Sequence, residues 1–374
     1  MLRSSSRAAS AALIAALSSS VLLSSCYVGS EGSRYLSILS KAVKLDRALA
    51  DPKTKPETRL LIERAQKARA FAVSELGLKD TRNYKSIVTL DSDRLATVVQ
   101  ACAELSFDRY LWSYPVVGKM PYRGYFDEKD AKKEAERLKK QGFDVIARPV
   151  DAFSTLGWFT DPLFSFMSSY GEAEVADLVI HEMTHATVFL KGNRGGADSS
   201  QFNEELATFV GRTGSLLYLE KEYGPESTQV AEARAQTEDA AAFASYLAGT
   251  AKELEKVYAS GASDEDKRSR KAEVIAARAE EFAKDYATLF KGDRYKGFPM
   301  GRIDNAYLDL YRLYEGDSPL YGEFYDKICG GDLKSFIQTI SRIARDAGVA
   351  KGKDDPKAEM QRLLLETRLQ EEAK

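Results

Sequence analysis

Two histidines are all that this 374-residue chain contains, and they stand four positions apart, as His181 and His185. On a helix, residues i and i+4 share a face, with Cβ atoms about 5–6 Å apart. Two imidazoles so placed can both reach one zinc ion at about 2.0–2.1 Å. Glu182 follows the first histidine directly, where its carboxylate can hold a water beside such an ion and serve as general base. A chain that otherwise avoids histidine gives little support to the alternative of two polar residues on an amphipathic helix. Two imidazoles and a carboxylate call for zinc, although other first-row metals accept the same donors. The third ligand is not a histidine, because none is left. It must be a carboxylate or a cysteine.

The elements around these residues have to place them. Residues 172–190, EAEVADLVIHEMTHATVFL, carry Val175, Leu178, Val179 and Glu182 along one helical stripe. Gly192, Gly195 and Gly196 can then turn the chain back into a second helical stretch, QFNEELATFVGRTGSLLYLEKEYG, which opens on Glu204 and Glu205. One step along a helix turns a side chain by about 100°, so only one of these two acids should face the metal. Asp177, one turn before His181, and Thr208, one turn beyond Glu204, are candidates to orient ligands. Plain solvated positions explain both equally well.

Upstream, helical patterning begins near Ser37 and resumes after a proline-containing break with PETRLLIERAQKARAFAVSELGL. Strand-like runs follow at 86–90, 96–103, 115–126 and, after a charged helix that ends at Gly142, from Phe143. The expected class is α+β and mostly helical. A small mixed β-sheet precedes the active-site helices at 172–220, and a long helical hairpin over 226–290, broken at 261–266, follows them. Further helices reach 350, and a charged tail at 351–374 is expected to fray. Residues 37–350 are expected to form a single domain.

The first 26 residues bear on the compartment. Arg3 and Arg7, a short apolar run and Leu23-Ser24-Ser25-Cys26 read as a secretory signal. The last four residues resemble a bacterial lipobox, which implies cleavage before Cys26 and a lipid on its sulfur. Residues 1–25 are then a signal peptide and 26–36 a tether. Tyr27 is not an aspartate, so the signal for inner-membrane retention is missing. The expected location is the cell envelope, anchored to the membrane through Cys26, most simply the outer membrane facing the periplasm. Loss of two arginines and no acid takes the formal charge from −2 to −4, which speaks against a nucleic-acid partner. No obligate protein partner is indicated. In an oxidising envelope Cys102 and Cys329 could pair, but spacing alone does not say whether they do.

Eighteen residues separate His185 from Glu204, and Asn203 precedes the acid. This spacing resembles that of the gluzincin peptidases, and the resemblance implies Glu204 as third ligand over Glu205. The likeness extends further. FAVSELGL at 71–78, PYRGYFD at 121–127, STLGWFTDP at 154–162, Phe202-Asn203-Glu204 with Ala207-Thr208-Phe209-Val210, and Asp304-Asn305-Ala306-Tyr307-Leu308 occur in this order. Together they resemble a bacterial family of predicted aminopeptidases, over roughly 26–345. The resemblance implies one zinc per chain, a peptide substrate, and peptide-bond hydrolysis with Glu182 as the base. It also implies Tyr314 as a stabiliser of the developing oxyanion, a role no histidine is left to fill. Two positions depart from the family: Glu205 stands where a serine is usual, and Asp304 where an asparagine is common.

A substrate strand could pair along Ala152–Gly157, with Trp158 and Phe159 near its side chains. Capture of a free amine needs a carboxylate. No Gly-x-Met-Glu-Asn segment of the kind gluzincin aminopeptidases use is present, which leaves Glu205, Glu172 and Asp161. An endopeptidase, a hydrolase of peptidoglycan stem peptides and a non-catalytic zinc-binding envelope lipoprotein remain the alternatives.

Overall fold

The chain begins its described course in a helix, α1, over residues 29–39, with Tyr35 buried. Residues 29–36, within the stretch read as a tether, are therefore held to the rest of the fold, where the Tyr35 hydroxyl meets Asp161. The computed structural model describes residues 27, 29–114, 118–150, 161–190, 199–315, 318–349 and 355–372. Cys26 and the segment 151–160, with Trp158 and Phe159, lie outside them, as do 191–198.

A two-residue strand β1 (Val43–Lys44) and a short helix α2 (Leu45–Ala50) lead to α3 (Pro56–Ser74). Proline at the first helical position suits that start. Leu61, Ile62, Ala65, Ala68, Phe71 and Ala72 are buried along one side of α3, whereas Leu60 is exposed. The strands are β2 (Ser86–Val88), β3 (Ala96–Ala103), β4 (Trp112–Tyr114), β5 (Gly118–Met120), β6 (Tyr122–Tyr125), β7 (Phe143–Val150) and β8 (Leu163–Phe164). They do not make one mixed sheet. β1, β2 and β8 form one small sheet, β6, β3 and β7 an antiparallel one, and β4 and β5 a hairpin. The helix α4 (Glu128–Lys140) starts on Asp127, whose carboxylate accepts the Lys129 N–H, and covers Val99, Ala101 and Val145 of the antiparallel sheet.

The two helices that matter most are α5 (Glu172–Thr187) and α6 (Ser199–Tyr223). They pack against α3 in the largest apolar core, through Val175, Val179, Ile180, Met183, Phe202, Leu206 and Val210. The long pair expected over 226–290 is formed by α7 (Thr228–Ala259) and α8 (Asp264–Leu289). Phe243 packs on Phe282, and the Tyr246 hydroxyl donates to the Arg278 carbonyl, which fixes their antiparallel register. A core of its own, with Leu247, Leu254 and Ile275, holds the pair to α9 (Asn305–Glu315). Three more helices complete the chain: α10 (Ser318–Lys327), α11 (Leu333–Val349) and α12 (Pro356–Glu372). The last of these is the charged tail. From Pro356 it is helical, and it buries Pro356, Met360 and Leu364, one turn apart. Among the described residues, no helix is long and apolar enough to cross a membrane.

Candidate metal centre

Close approach of α5 and α6 brings the candidate ligands together. At Gly211 on α6, a Cβ atom would lie 2.3 Å from Asp177 Oδ1 and 3.1 Å from both the Asp177 carbonyl oxygen and His181 Cβ. At Gly214 it would lie 3.1 Å from Ile180 Cγ2. Two glycines one turn apart thus let the helix axes draw near at the level of His181. Beyond α5, buried Asn203 fixes the start of α6. Its side-chain amide donates to the Leu190 carbonyl at 3.0 Å, and its oxygen accepts the Leu190 N–H at 2.9 Å. This closed pair of bonds ties the chain leaving α5 to the residue just before Glu204.

The result is a three-donor cluster. His181 Nε2 and His185 Nε2 are 3.1 Å apart, and each lies 3.7 Å from Glu204 Oε2. A tetrahedral zinc with bonds of about 2.0–2.1 Å holds its ligand atoms about 3.3 Å apart, and the observed separations straddle that value. The imidazole planes stand at 82° to each other. Among the described residues, this is the one group of histidine, cysteine or acidic side chains with ligand atoms near enough to share an ion. The charges are mutually dependent. Burial works against an imidazolium at His181, but the carboxylates of Glu204, Glu182 and Asp177 outweigh it and raise the pKa. Burial likewise favours a neutral Glu204, yet the two imidazoles prevail and hold it well below the usual carboxylate range.

Glu205 turns the other way. Its carboxylate is buried and contacts Lys357 Nζ at 2.6 Å, from α12. The 100° step between neighbouring helical residues thus separates the two acids that sequence alone left as rivals. Glu182 lies beside the cluster, 9 % exposed, and its carboxylate makes no hydrogen bond to another described residue. It borders a small cavity of about 10 Å³ shared with Tyr35, Tyr84 and Asp161. The Tyr35 hydroxyl donates to Asp161 Oδ1 at 2.7 Å, and the Tyr84 N–H donates to the Asp161 carbonyl at 2.7 Å. Tyr84 has φ of 58°, a left-handed conformation that costs a non-glycine residue free energy and is held only where the surroundings dictate it. Burial, with the charges of Glu182 and Asp161, pushes its phenol well above the ordinary tyrosine range, so it remains a protonated donor beside Glu182.

The other candidate residues lie outside the three-donor cluster. Asp161 is committed to Tyr35. Glu172, at the start of α5, accepts hydrogen bonds from Tyr218 and Tyr223. The Thr208 hydroxyl makes no hydrogen bond with another described residue. Tyr314 lies within α9, but its side chain is outside the described part of the structure. Asn305, from the 304–308 motif, is fully buried, and its amide binds the carbonyls of Ala103, Glu104 and Ser106. That places the motif in the joint between α9 and the antiparallel sheet. Cys102 is buried and Cys329 half-buried, and both are free thiols.

Two clefts flank the ligand-bearing helices. One, of about 770 Å³, runs between residues 107–111, Gln201 at the start of α6, and facing turns of α7 and α9. The other, of about 250 Å³, includes Glu174 and Asp177 of α5 and Arg212 of α6. Tyr311 lines both. Gln201 precedes Glu204 by one turn, and Asp177 precedes His181 by one.

Residues 26–353 match the model of a family described as Putative aminopeptidase. No curated protein and no solved structure matches the chain.

Proposed function

The chain belongs to this family of putative aminopeptidases, and from that premise we propose that it hydrolyses peptide bonds with a zinc ion held by His181, His185 and Glu204. The observation that carries the proposal is the convergence of Nε2, Nε2 and Oε2 within one coordination sphere, with a carboxylate on the adjoining residue. A purely structural ion needs no such base.

Three protein ligands leave a fourth position open. Zinc, when bound, supplies a Lewis acid that acidifies water and polarises a carbonyl. Glu182 takes the proton of the attacking water and returns it to the departing amine. Its carboxylate is free for that task, while Tyr84 and Tyr35 close the space behind it. The cleft of about 770 Å³ is within the range of roughly 300–1,000 Å³ that binds organic ligands, and its position one turn from Glu204 suits a peptide segment leaving the metal. Lysine and arginine side chains alternate with acids along it, which favours a peptide over an apolar ligand. Residues 1–26 add export and lipid attachment at Cys26, placing the activity in the bacterial cell envelope.

The test is bound zinc together with cleavage of aminoacyl-nitroanilides and internally quenched peptides, for wild type and Glu182→Gln. We expect about one zinc per chain in both, with hydrolysis lowered in the variant by about 10²–10⁴-fold, the usual contribution of a general base. Preference for nitroanilides marks an aminopeptidase, and for the quenched peptides an endopeptidase. Zinc in both proteins with no cleavage by wild type would refute the peptidase reading in favour of a binding role.

A further inference from the structure

Glu205 places a buried negative charge beside a metal ligand. The residue is 2 % exposed. Gln201 Nε2 donates to its Oε1 at 2.8 Å, the Tyr321 hydroxyl reaches Oε2 at 3.4 Å, and Lys357 Nζ lies 2.6 Å from the same oxygen. Two of these partners are neutral, and Lys357 brings a positive charge onto the carboxylate. It is the second residue of α12 and lies beyond the family match, which ends at residue 353.

The first turn of a helix carries partial positive charge and disfavours cations. α12 starts on Asp355, whose carboxylate accepts the Lys357 N–H at 3.0 Å. The ammonium nevertheless reaches inward, with 16 % of its side chain exposed, to meet Glu205. A buried carboxylate without its cation is expensive, because desolvation is no longer offset. The cheapest relief is movement of the carboxylate toward water, and the backbone that must move is the first two turns of α6. Those turns also carry Glu204 and, through Gln201, meet Arg109 at the rim of the large cleft.

We propose that Lys357 is a positioning residue of the metal centre: by neutralising Glu205 it holds the first two turns of α6 where Glu204 meets the two histidines. The C-terminal helix is thereby part of the site although none of its side chains reaches the ion. This rests on the metal-binding reading above.

The experiment measures zinc affinity of the full chain by competition with a chromophoric chelator, with no activity assay. The proteins are wild type, Lys357→Met, Lys357→Arg, Glu205→Gln and Glu205→Gln/Lys357→Met, each also melted thermally. Lys357→Met should weaken zinc binding at least about tenfold, within the 10–100-fold typical of residues that orient a ligand. Lys357→Arg and the double variant should stay within about threefold of wild type. If Lys357→Met does not fold, Glu205→Gln reads the same coupling from the other side, losing affinity alone and regaining it in the double variant. A lower melting temperature with unchanged zinc affinity would make the pair merely structural and overturn the proposal. Tighter zinc binding in Lys357→Met would also overturn it, since an unpaired carboxylate acting only through its charge attracts the cation. A wild type that binds no zinc sinks the metal reading itself, and this role with it, whereas failure confined to the variants leaves that reading standing.

Discussion

Before any ion arrives, His181 and Glu204 stabilise each other's charged forms, and this makes the metal-free protein sensitive to pH in a definite direction. The folded pKa of His181 is raised. Its contribution to stability is therefore fully present below the unfolded value of about 6.5 and is lost as pH rises through the folded pKa. Glu204 is depressed, so its contribution is present above about 4.3 and is lost as pH falls through its folded value. Chelator-treated protein should accordingly melt at a lower temperature at pH 9 than at pH 6. Zinc-loaded protein should show the opposite trend, because protons compete with the metal for imidazole and carboxylate. Parallel melting curves from pH 5 to 9 check this, and identical trends in both samples would mean that these groups do not hold the ion. At this scale the sequence was legible where partners are neighbours. The spacing of His181, Glu182 and His185 needs only helical geometry. Glu204 needed the family likeness, since Glu205 satisfied the same local pattern. Tyr35 and Tyr84 carried no signal, because Asp161 lies far from both in sequence and neither glycine nor asparagine marks the left-handed turn at Tyr84.

Among the elements, the α5–α6 contact controls the site, and Gly211 controls the contact. In an exposed helix interior, glycine to alanine gains up to about 1 kcal/mol. At Gly211 the added methyl meets the Asp177 backbone oxygen and His181 Cβ at 3.1 Å, in addition to the movable Asp177 carboxylate. The two fixed atoms can be relieved only by separating the helices. Gly211→Ala should therefore destabilise the protein by about 1–3 kcal/mol, as overpacking does, and should weaken zinc binding because it drives His181 away from Glu204. Gly249 on α7 is the control: its nearest neighbour is the end of the Arg278 side chain at 3.6 Å, so Gly249→Ala should gain about 0.5–1 kcal/mol. Urea unfolding of both variants decides the matter, and equal effects would mean that the close approach is not under strain. The helices themselves were legible, from α3 to the α7–α8 pair, although the apolar spacing of α3 also pointed to Leu60, which is exposed. β2, β3, β6 and β7 fall in runs read as strands, but β1, β4 and β8 were not marked, and no pairing was legible. β2 and β3 follow one another in sequence yet join different sheets, and sheet partners are set by packing on α4 and α9, not by any local pattern.

At the scale of the whole molecule, the chain closes its site with parts that composition alone marks as peripheral. The charged tail packs through Pro356, Met360 and Leu364, a spacing that was present in the sequence but obscured by the surrounding lysines and glutamates. The long helix pair does more than cover a core. One face of α7 forms a wall of the large cleft through Ala244, Ala248 and Lys252, spaced a turn apart. If peptides lie along that wall, an obstruction there should affect binding and spare the chemistry. Ala248 is exposed, so Ala248→Trp can be accommodated without disturbing the fold, and its indole would occupy the cleft between Gln201 and Lys252. For peptides long enough to extend past the metal we expect KM to rise about tenfold with kcat within about twofold, the signature of lost uniform binding. Aminoacyl-nitroanilides, which end beside the scissile bond, should be cleaved as by wild type. Steady-state kinetics over a series of peptide lengths checks both expectations. Equal KM values at every length would move the substrate to the smaller cleft beside Asp177, on the far side of Tyr311, and an equal loss for all substrates would mean that the indole reaches the metal centre itself.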